Sequence, residues 1–168
     1  MALQIGVVGE GVCSRRTARD AERVGAAIAA AGAVLVCGGL AGVMEAASRG
    51  AARAGGVVLG LLPGFSRDDA NRWVTVSVVT GMDQARNVLV VRSSDALVAI
   101  GGMYGTLSEI AMALKLGVPV VGLRTWRLRQ ADGRRVPLLR ATTAEDAARK
   151  ALAAAGRQPR GRARAWLA

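Results

Sequence analysis

An α/β fold built on a parallel sheet is predicted by three features of the sequence. Short apolar runs rich in Val, Leu and Ile alternate with longer stretches of helical period, the order expected of βα repeats. Glycine clusters stand where the apolar runs give way to the helical stretches. The apolar residues are small, with aromatics only 3% of the chain, which suits helices packed closely on a sheet buried on both faces. A chain of 168 residues fits one domain that hides roughly 70% of the surface its unfolded form would expose.

In chain order, strands are expected near residues 3–8, 33–37, 57–62, 74–78, 96–100 and 118–123, each a short apolar run bounded by glycine or polar residues. Helices are expected near 17–31, 43–54, 84–92, 105–116 and 143–155, where apolar positions recur at helical spacing. Gly32 and Gly117 each follow a helical run and precede a strand, the place for a left-handed residue just past a helix end. Thr142-Thr143-Ala144-Glu145 has the spacing of a capping box, in which hydroxyl and carboxylate satisfy each other's orphan amides. Residues 124–140 read as an excursion between the last strand and the last helix, with Asp132-Gly133 a good hairpin turn. The division expected is a domain over 1–155 and a basic tail over 156–168.

Charge and composition exclude several classes. The formal net charge of +11 is concentrated rather than spread. Arg124, Arg127, Arg129, Arg134, Arg135 and Arg140 stand against Asp132 alone, and Arg157, Arg160, Arg162 and Arg164 stand against no acid. The body of the domain is nearly balanced, so nucleic acid is not the expected partner; a short arginine tail has too little apolar surface to fold alone. No histidine occurs, which removes histidine triads, histidine metal ligands and a histidine pH switch. Cys13 and Cys37 have neither metal-ligand spacing nor a disulfide framework and read as small core residues in a reducing cytoplasm. Met1-Ala2-Leu3-Gln4 offers no basic region ahead of an apolar run, so a soluble, unexported protein away from membranes is expected.

Three glycine-bearing turns should meet at the carboxyl edge of the sheet, where ligands of open α/β folds bind. They are Gly9-Glu10-Gly11 with Ser14, then Gly38-Gly39-Leu40-Ala41-Gly42, then Gly101-Gly102-Met103-Tyr104-Gly105-Thr106. The third runs from an apolar strand into a helix carrying Glu109. Exposed amides at such a turn favour a bound phosphate. A dinucleotide fingerprint is absent, because Cys13 and Ser14 fall where a third glycine would stand and the second strand ends at Val36-Cys37 without an acid. No Gly-Lys-Ser/Thr follows any glycine turn, which excludes a Walker-A loop.

Three blocks of residues resemble the LONELY GUY (LOG) superfamily, often called lysine decarboxylase-like, which includes cytokinin riboside 5′-monophosphate phosphoribohydrolases. They are Gly38-Gly39-Leu40-Ala41-Gly42-Val43-Met44, Arg86 ahead of Ser94-Asp95-Ala96, and Gly102-Met103-Tyr104-Gly105-Thr106-Leu107-Ser108-Glu109. The resemblance covers about residues 5–123. It implies a single Rossmann-like domain, mostly parallel with helices on both faces, a homodimer or homotetramer, and a small phosphate-bearing ligand. It also carries the catalytic pair of the phosphoribohydrolases onto Arg86 and Glu109. The sequence departs from the superfamily pattern at Gly101, Met103 and Asn87, where Pro, Gly and Lys are usual. Those departures, the Ile5-Gly6-Val7-Val8-Gly9 start and the Gly81-Met82-x-x-x-Arg86-Asn87 block resemble the branch that contains molybdenum-cofactor carrier proteins.

Each side chain has two readings at this point. Glu109 either serves as acid or base for cleavage of an N-glycosidic bond or complements the first turn of its helix. Arg86 either anchors phosphate and orients Glu109 or forms a structural ion pair. Thr106 either binds phosphate or caps its helix. Tyr104 either stacks on a flat ring or packs at the loop rim. Met44, Met82 and Met112 read as core or interface filler, Asp95 as a turn residue and Asp83 as a cap. The leading expectation is hydrolysis of a nucleoside 5′-monophosphate to free base and ribose 5-phosphate by Arg86 and Glu109, with no cofactor required. Gly9, Ser14, Gly38, Gly39, Gly42, Asn87, Gly102, Met103, Tyr104, Gly105 and Thr106 would hold the ligand, and no metal site is expected. The alternative is a carrier that binds molybdenum cofactor, a pterin phosphate, without turnover.

Overall fold

The computed structural model describes residues 1–157. Seven strands form one sheet: β1 (Gln4–Gly9), β2 (Val34–Cys37), β3 (Val58–Leu62), β4 (Val76–Val79), β5 (Ala96–Ile100), β6 (Val120–Leu123) and β7 (Leu138–Ala141). The helices are α1 (Arg15–Ala30), α2 (Val43–Arg53), α3 (Asn87–Arg92), α4 (Tyr104–Lys115) and α5 (Ala144–Gly156). The sheet order is β4-β3-β2-β1-β5-β6-β7, every pairing parallel. The chain winds outward one way from β1 to β4, then returns to place β5 against β1, pairing Ile5 with Ala96 and Gly9 with Ile100. The direction of winding therefore reverses between β1 and β5, and the crevice at their carboxyl ends is where this class of sheet binds ligands.

Alternation along β1 sends Ile5 and Val7 into one core and Val8 into the other. The first core joins the sheet to the small residues of α1, α2 and α5, among them Ala21, Val24, Ile28, Ala47, Ala51, Ala147 and Ala151. The second joins it to Val90 and Val91 of α3 and Ile110 and Ala113 of α4. Each buried Val, Leu or Ile contributes about 1.5–3 kcal/mol relative to exposure. The helices approach closely because their facing residues are small: a Cβ on Gly25 would strike the Ala47 carbonyl, and one on Gly50 the Glu22 carbonyl.

Gly32 and Gly117 take φ of 70° and 67° just past the ends of α1 and α4, as their positions predict. Several local expectations are corrected. The second half of the 124–140 excursion leads into β7, which pairs Leu138 with Val120. Four residues with an exposed Leu139 and Arg140 carry too short an apolar signal to read as a strand. The turn at Asp132-Gly133 is present, closed by an antiparallel bridge between Arg129 and Arg135. The cap of α5 is Thr143, whose hydroxyl accepts from the Asp146 amide at 3.2 Å. Thr142 is therefore one residue early, and Glu145 turns away to pair with Arg23 at 2.8 Å. The stretch expected as one helix over 84–92 is a 3-10 turn, Asp83–Arg86, followed by α3. Asp83 begins that turn at φ 47° without capping it, and Met82 beside it is exposed rather than core. A further 3-10 turn at Arg67–Asp69 lay outside the expected elements. The expected tail falls outside the described residues from 158 onward.

Candidate functional site

The three glycine turns meet at the β1/β5 crevice as the sequence predicts. Gly9 ends β1, packed against the Ile100 carbonyl and Val43. The second turn is docked on the first, because the Val43 amide donates to the Glu10 carbonyl at 3.0 Å and Gly42, at φ 69°, lies against Glu10 and Gly11. Gly39 lies beside Leu62 and Gly60. The third turn leaves β5 through Gly101 and Gly102, both at positive φ, 57° and 105°. Thr125, following β6, donates its hydroxyl to the Gly101 carbonyl and pins this turn from the other side.

Arg86 and Gly38 form the interior of the site. The Arg86 side chain, 7% exposed, comes from the 3-10 turn before α3 and lies flat on Gly38: a Cβ there would stand 2.6 Å from Nη2 and 2.7 Å from Cζ. Its guanidinium makes no hydrogen bond or ion pair among the described residues, and Nε is buried without a partner. Glu109, also 7% exposed, faces it from α4. The two attract across a gap that stops short of ion-pair contact. Burial pushes the Glu109 carboxyl up to about 7, against the pull of Arg86. Burial likewise lowers Arg86, against the pull of Glu109 first and of Cys37 and Asp83 after it. A buried cation without a hydrogen-bonded partner is costly, so an anion arriving here is strongly favoured.

Glu109 lies in the second turn of α4, because the helix opens at Tyr104; it is too deep to complement the helix end, as one reading expected. Met103 is the residue ahead of the helix and gives it no side-chain cap. Thr106 is thus not the cap; it is buried, with its side chain against Gly102. Met103 and Tyr104 are exposed at 64% and 76%, and Gly105 is exposed beside them. Tyr104 stands 6.0 Å from Trp126, ring centre to ring centre, at 36°. Asn87 follows Arg86 at the start of α3. Ser14 does structural work: its hydroxyl caps α1, accepting from the Thr17 amide at 3.1 Å. Asp95 lies at the opposite edge of the sheet, where its carboxylate accepts from the Gln4 amide at 2.9 Å.

Residues not expected from sequence complete the picture. Glu10 reaches the third turn, its Oε2 accepting from the Gly102 amide at 3.2 Å. A cavity of about 390 Å³ opens over this turn, lined by Glu10, Arg16, Thr17, Gly101, Gly102, Arg124, Thr125 and Trp126. Neither Arg86 nor Glu109 lines it. The arginine content of 124–140 was legible, but nothing in the sequence placed Arg16 and Arg124 on the glycine turn. Both thiols are pushed up by burial, Cys13 by Glu10 as well, and Cys37 is fully buried; neither has the thiolate character of a reactive cysteine. Among the described residues no group of three or more Cys, Asp or Glu is placed to hold a metal, and no helix is long and apolar enough to cross a membrane.

Comparison with known proteins agrees with the fold. An uncharacterized protein of Archaeoglobus fulgidus is 51% identical over 122 residues, 73% of this chain and 80% of the relative. The molybdenum cofactor binding protein of the phototrophic bacterium Rippkaea orientalis is 35% identical, covers 87% of this chain and 93% of its own, and superposes with a TM-score of 0.80. The molybdenum cofactor carrier protein of Chlamydomonas reinhardtii is 32% identical, covers 93% of this chain and 99% of its own, and superposes with a TM-score of 0.82. The model of the SLOG cluster4 family matches residues 2–152, and the chain belongs to that family.

Proposed function

We propose that this protein binds a phosphate-bearing pterin of the molybdenum-cofactor type and holds it without turnover. The observation that carries this reading is the cavity over Gly101 and Gly102, which gathers a glycine turn, Arg16, Arg124 and Trp126 while leaving Glu109 outside its walls. The residues present fit such a ligand. The turn and the arginines suit an anionic phosphate, and the half-buried Trp126 beside Tyr104 offers aromatic faces to a flat ring. With no cluster of metal-ligating side chains among the described residues, a metal ion would arrive held by the pterin. The likeness to two proteins named for binding or carrying molybdenum cofactor, each over most of both chains, supports the same reading.

Incubation with freshly released cofactor, followed by gel filtration, tests it. Retained pterin, read by fluorescence after oxidation, and molybdenum in proportion, read by mass spectrometry, are the expected result. Loss of the ligand on filtration would overturn the proposal.

A second reading rests on one specific observation, the Glu109 carboxyl held at about 7 beside the unpaired Arg86. Such a carboxyl exchanges its proton near neutral pH, and a nucleoside 5′-monophosphate with its phosphate on Arg86 would meet it. Release of free base from a panel of nucleoside monophosphates, lost in Glu109→Ala, would establish hydrolysis in place of carriage.

A further inference from the structure

A second and larger cavity, about 800 Å³, lies between β6, β7 and the hairpin that joins them. Its walls carry Arg16, Arg124, Arg127, Arg129, Arg135 and Arg140 and no carboxylate. Some of these cations are fixed in place. Arg140 donates to the carbonyls of Thr125 and Trp126 at 3.3 and 2.6 Å, Arg129 donates to the Gly133 carbonyl at 2.9 Å, and Arg124 pairs with Asp20. Arg16, Arg127 and Arg135 make no side-chain hydrogen bond or ion pair among the described residues. They also repel their neighbours: after burial, Arg16 lowers Arg124, and Arg127 and Arg135 lower Arg140. Such like-charge crowding opposes the compact state and is relieved when anions enter.

The size of the charge selects the ligand class. One phosphate group carries roughly two negative charges, too few to answer this set of guanidiniums, whereas linked phosphates add charge with each unit and present oxygens to several arginine forks at once. The shape selects between a small molecule and a polymer. A concave basin of this volume lies in the range of small-molecule sites, roughly 300–1,000 Å³, while a nucleic-acid strand is tracked by an open groove with stacking platforms.

We propose that this basin is a polyphosphate site, taking the linked phosphates of a nucleoside di- or triphosphate or of free polyphosphate, with Arg127 and Arg135 as contacts whose side chains have no partner among the described residues. Arg16, Arg124 and Thr125 line both this basin and the cavity over Gly102, so a chain of phosphates seated here ends beside the glycine turn. The proposal does not rest on the pterin reading, although the two cavities share these three side chains.

Calorimetric titration of the full chain with sodium tripolyphosphate, nucleoside triphosphates, inorganic phosphate and single-stranded oligonucleotides of increasing length tests the proposal. Tripolyphosphate and triphosphates are expected to bind, and to bind about tenfold more weakly or worse to R127Q/R135Q, with an unfolding midpoint no lower than that of wild type, because neither side chain has a partner to lose and their repulsion of Arg140 is relieved. Equal affinity for tripolyphosphate and a nucleoside triphosphate would assign recognition to phosphates alone, and tighter binding of the nucleotide would add a contact to its base; both support the site. Absence of binding beyond that of inorganic phosphate, or binding untouched by R127Q/R135Q and abolished by R86Q, would overturn it. So would oligonucleotides that outbind the triphosphate and tighten with length, which would make the basin part of a nucleic-acid surface.

Discussion

Glu10 and Gly102 are joined across the crevice between β1 and β5: the carboxylate of the first accepts from the amide of the second at 3.2 Å. The protein thus supplies its own anion to an amide of the third glycine turn, and Glu10 also lies against Gly101. An incoming phosphate must displace that carboxylate or bear its repulsion. Glu10→Gln removes the charge and keeps the shape. It is expected to tighten binding of inorganic phosphate about three- to tenfold at low salt, with the gain fading near 1 M salt, where charges are screened within a few ångströms. Unchanged or weaker binding would show that the carboxylate takes no part in excluding anions.

Glu109 makes stability fall as pH rises. Its carboxyl sits at about 7 in the fold against an ordinary value of 4.5, chiefly through burial. Between those values the folded state binds the proton more tightly than the unfolded chain, so stability is lost as pH rises through that window and is unaffected by this group below it. Glu109→Gln imitates the protonated acid. Urea unfolding should find it close to wild type at pH 4 and more stable on the order of 2–3 kcal/mol at pH 8. An equal difference at both values would remove the carboxyl's titration as the cause.

The sheet and its helices were legible because alternation of apolar runs and helical stretches is a local signal, and so were Gly32 and Gly117, whose positive φ follows from what surrounds them in sequence. Convergence of the three turns was legible as well, since a parallel sheet puts every βα turn on one edge. That Arg86 and Glu109 face each other was legible only through resemblance, because nothing local ties a 3-10 turn to the second turn of α4. Glu10 meets Gly102 across 92 residues, and Arg16 meets Arg124 only after β6 has taken its place beside β5; contacts of that separation have no periodicity to betray them. Strand β7 was missed for the opposite reason, its four residues being too few to show one.

Gly38 and Gly42 lie in one turn and should respond differently to alanine. Gly38 has an ordinary φ, and what its Cβ would meet is the Arg86 guanidinium. Gly38→Ala should therefore push the guanidinium out of its seat, weakening inorganic phosphate binding about tenfold, while stability changes by about 1 kcal/mol or less. Gly42 holds φ 69°, and its Cβ would meet the backbone of Glu10 and Gly11, which cannot yield as a side chain does. Gly42→Ala should cost about 2 kcal/mol or more in chemical unfolding. Reversal of the two effects would show that Arg86 is not seated on Gly38 in solution.

Asp95 separates stability from binding. Although it stands near Arg86 in sequence, it occupies the amino-terminal edge of the sheet, where its carboxylate takes the Gln4 amide and its own amide donates to the Gln4 carbonyl at 2.7 Å. These two bonds fix the start of β1 to the start of β5, the strand pair whose far end carries Gly9 and the Gly101 turn. A charged acceptor lost from a partly buried amide costs about 1–2 kcal/mol. Asp95→Ala should lower the unfolding free energy by that amount and leave phosphate affinity at the opposite edge within twofold of wild type, because the register of β1 on β5 is also held by the ladder from Ile5 to Gly9. A fall in affinity larger than the fall in stability would mean that the strand start transmits its position to the glycine turn, and that the crevice is set by β1 as a sliding element rather than by its loops.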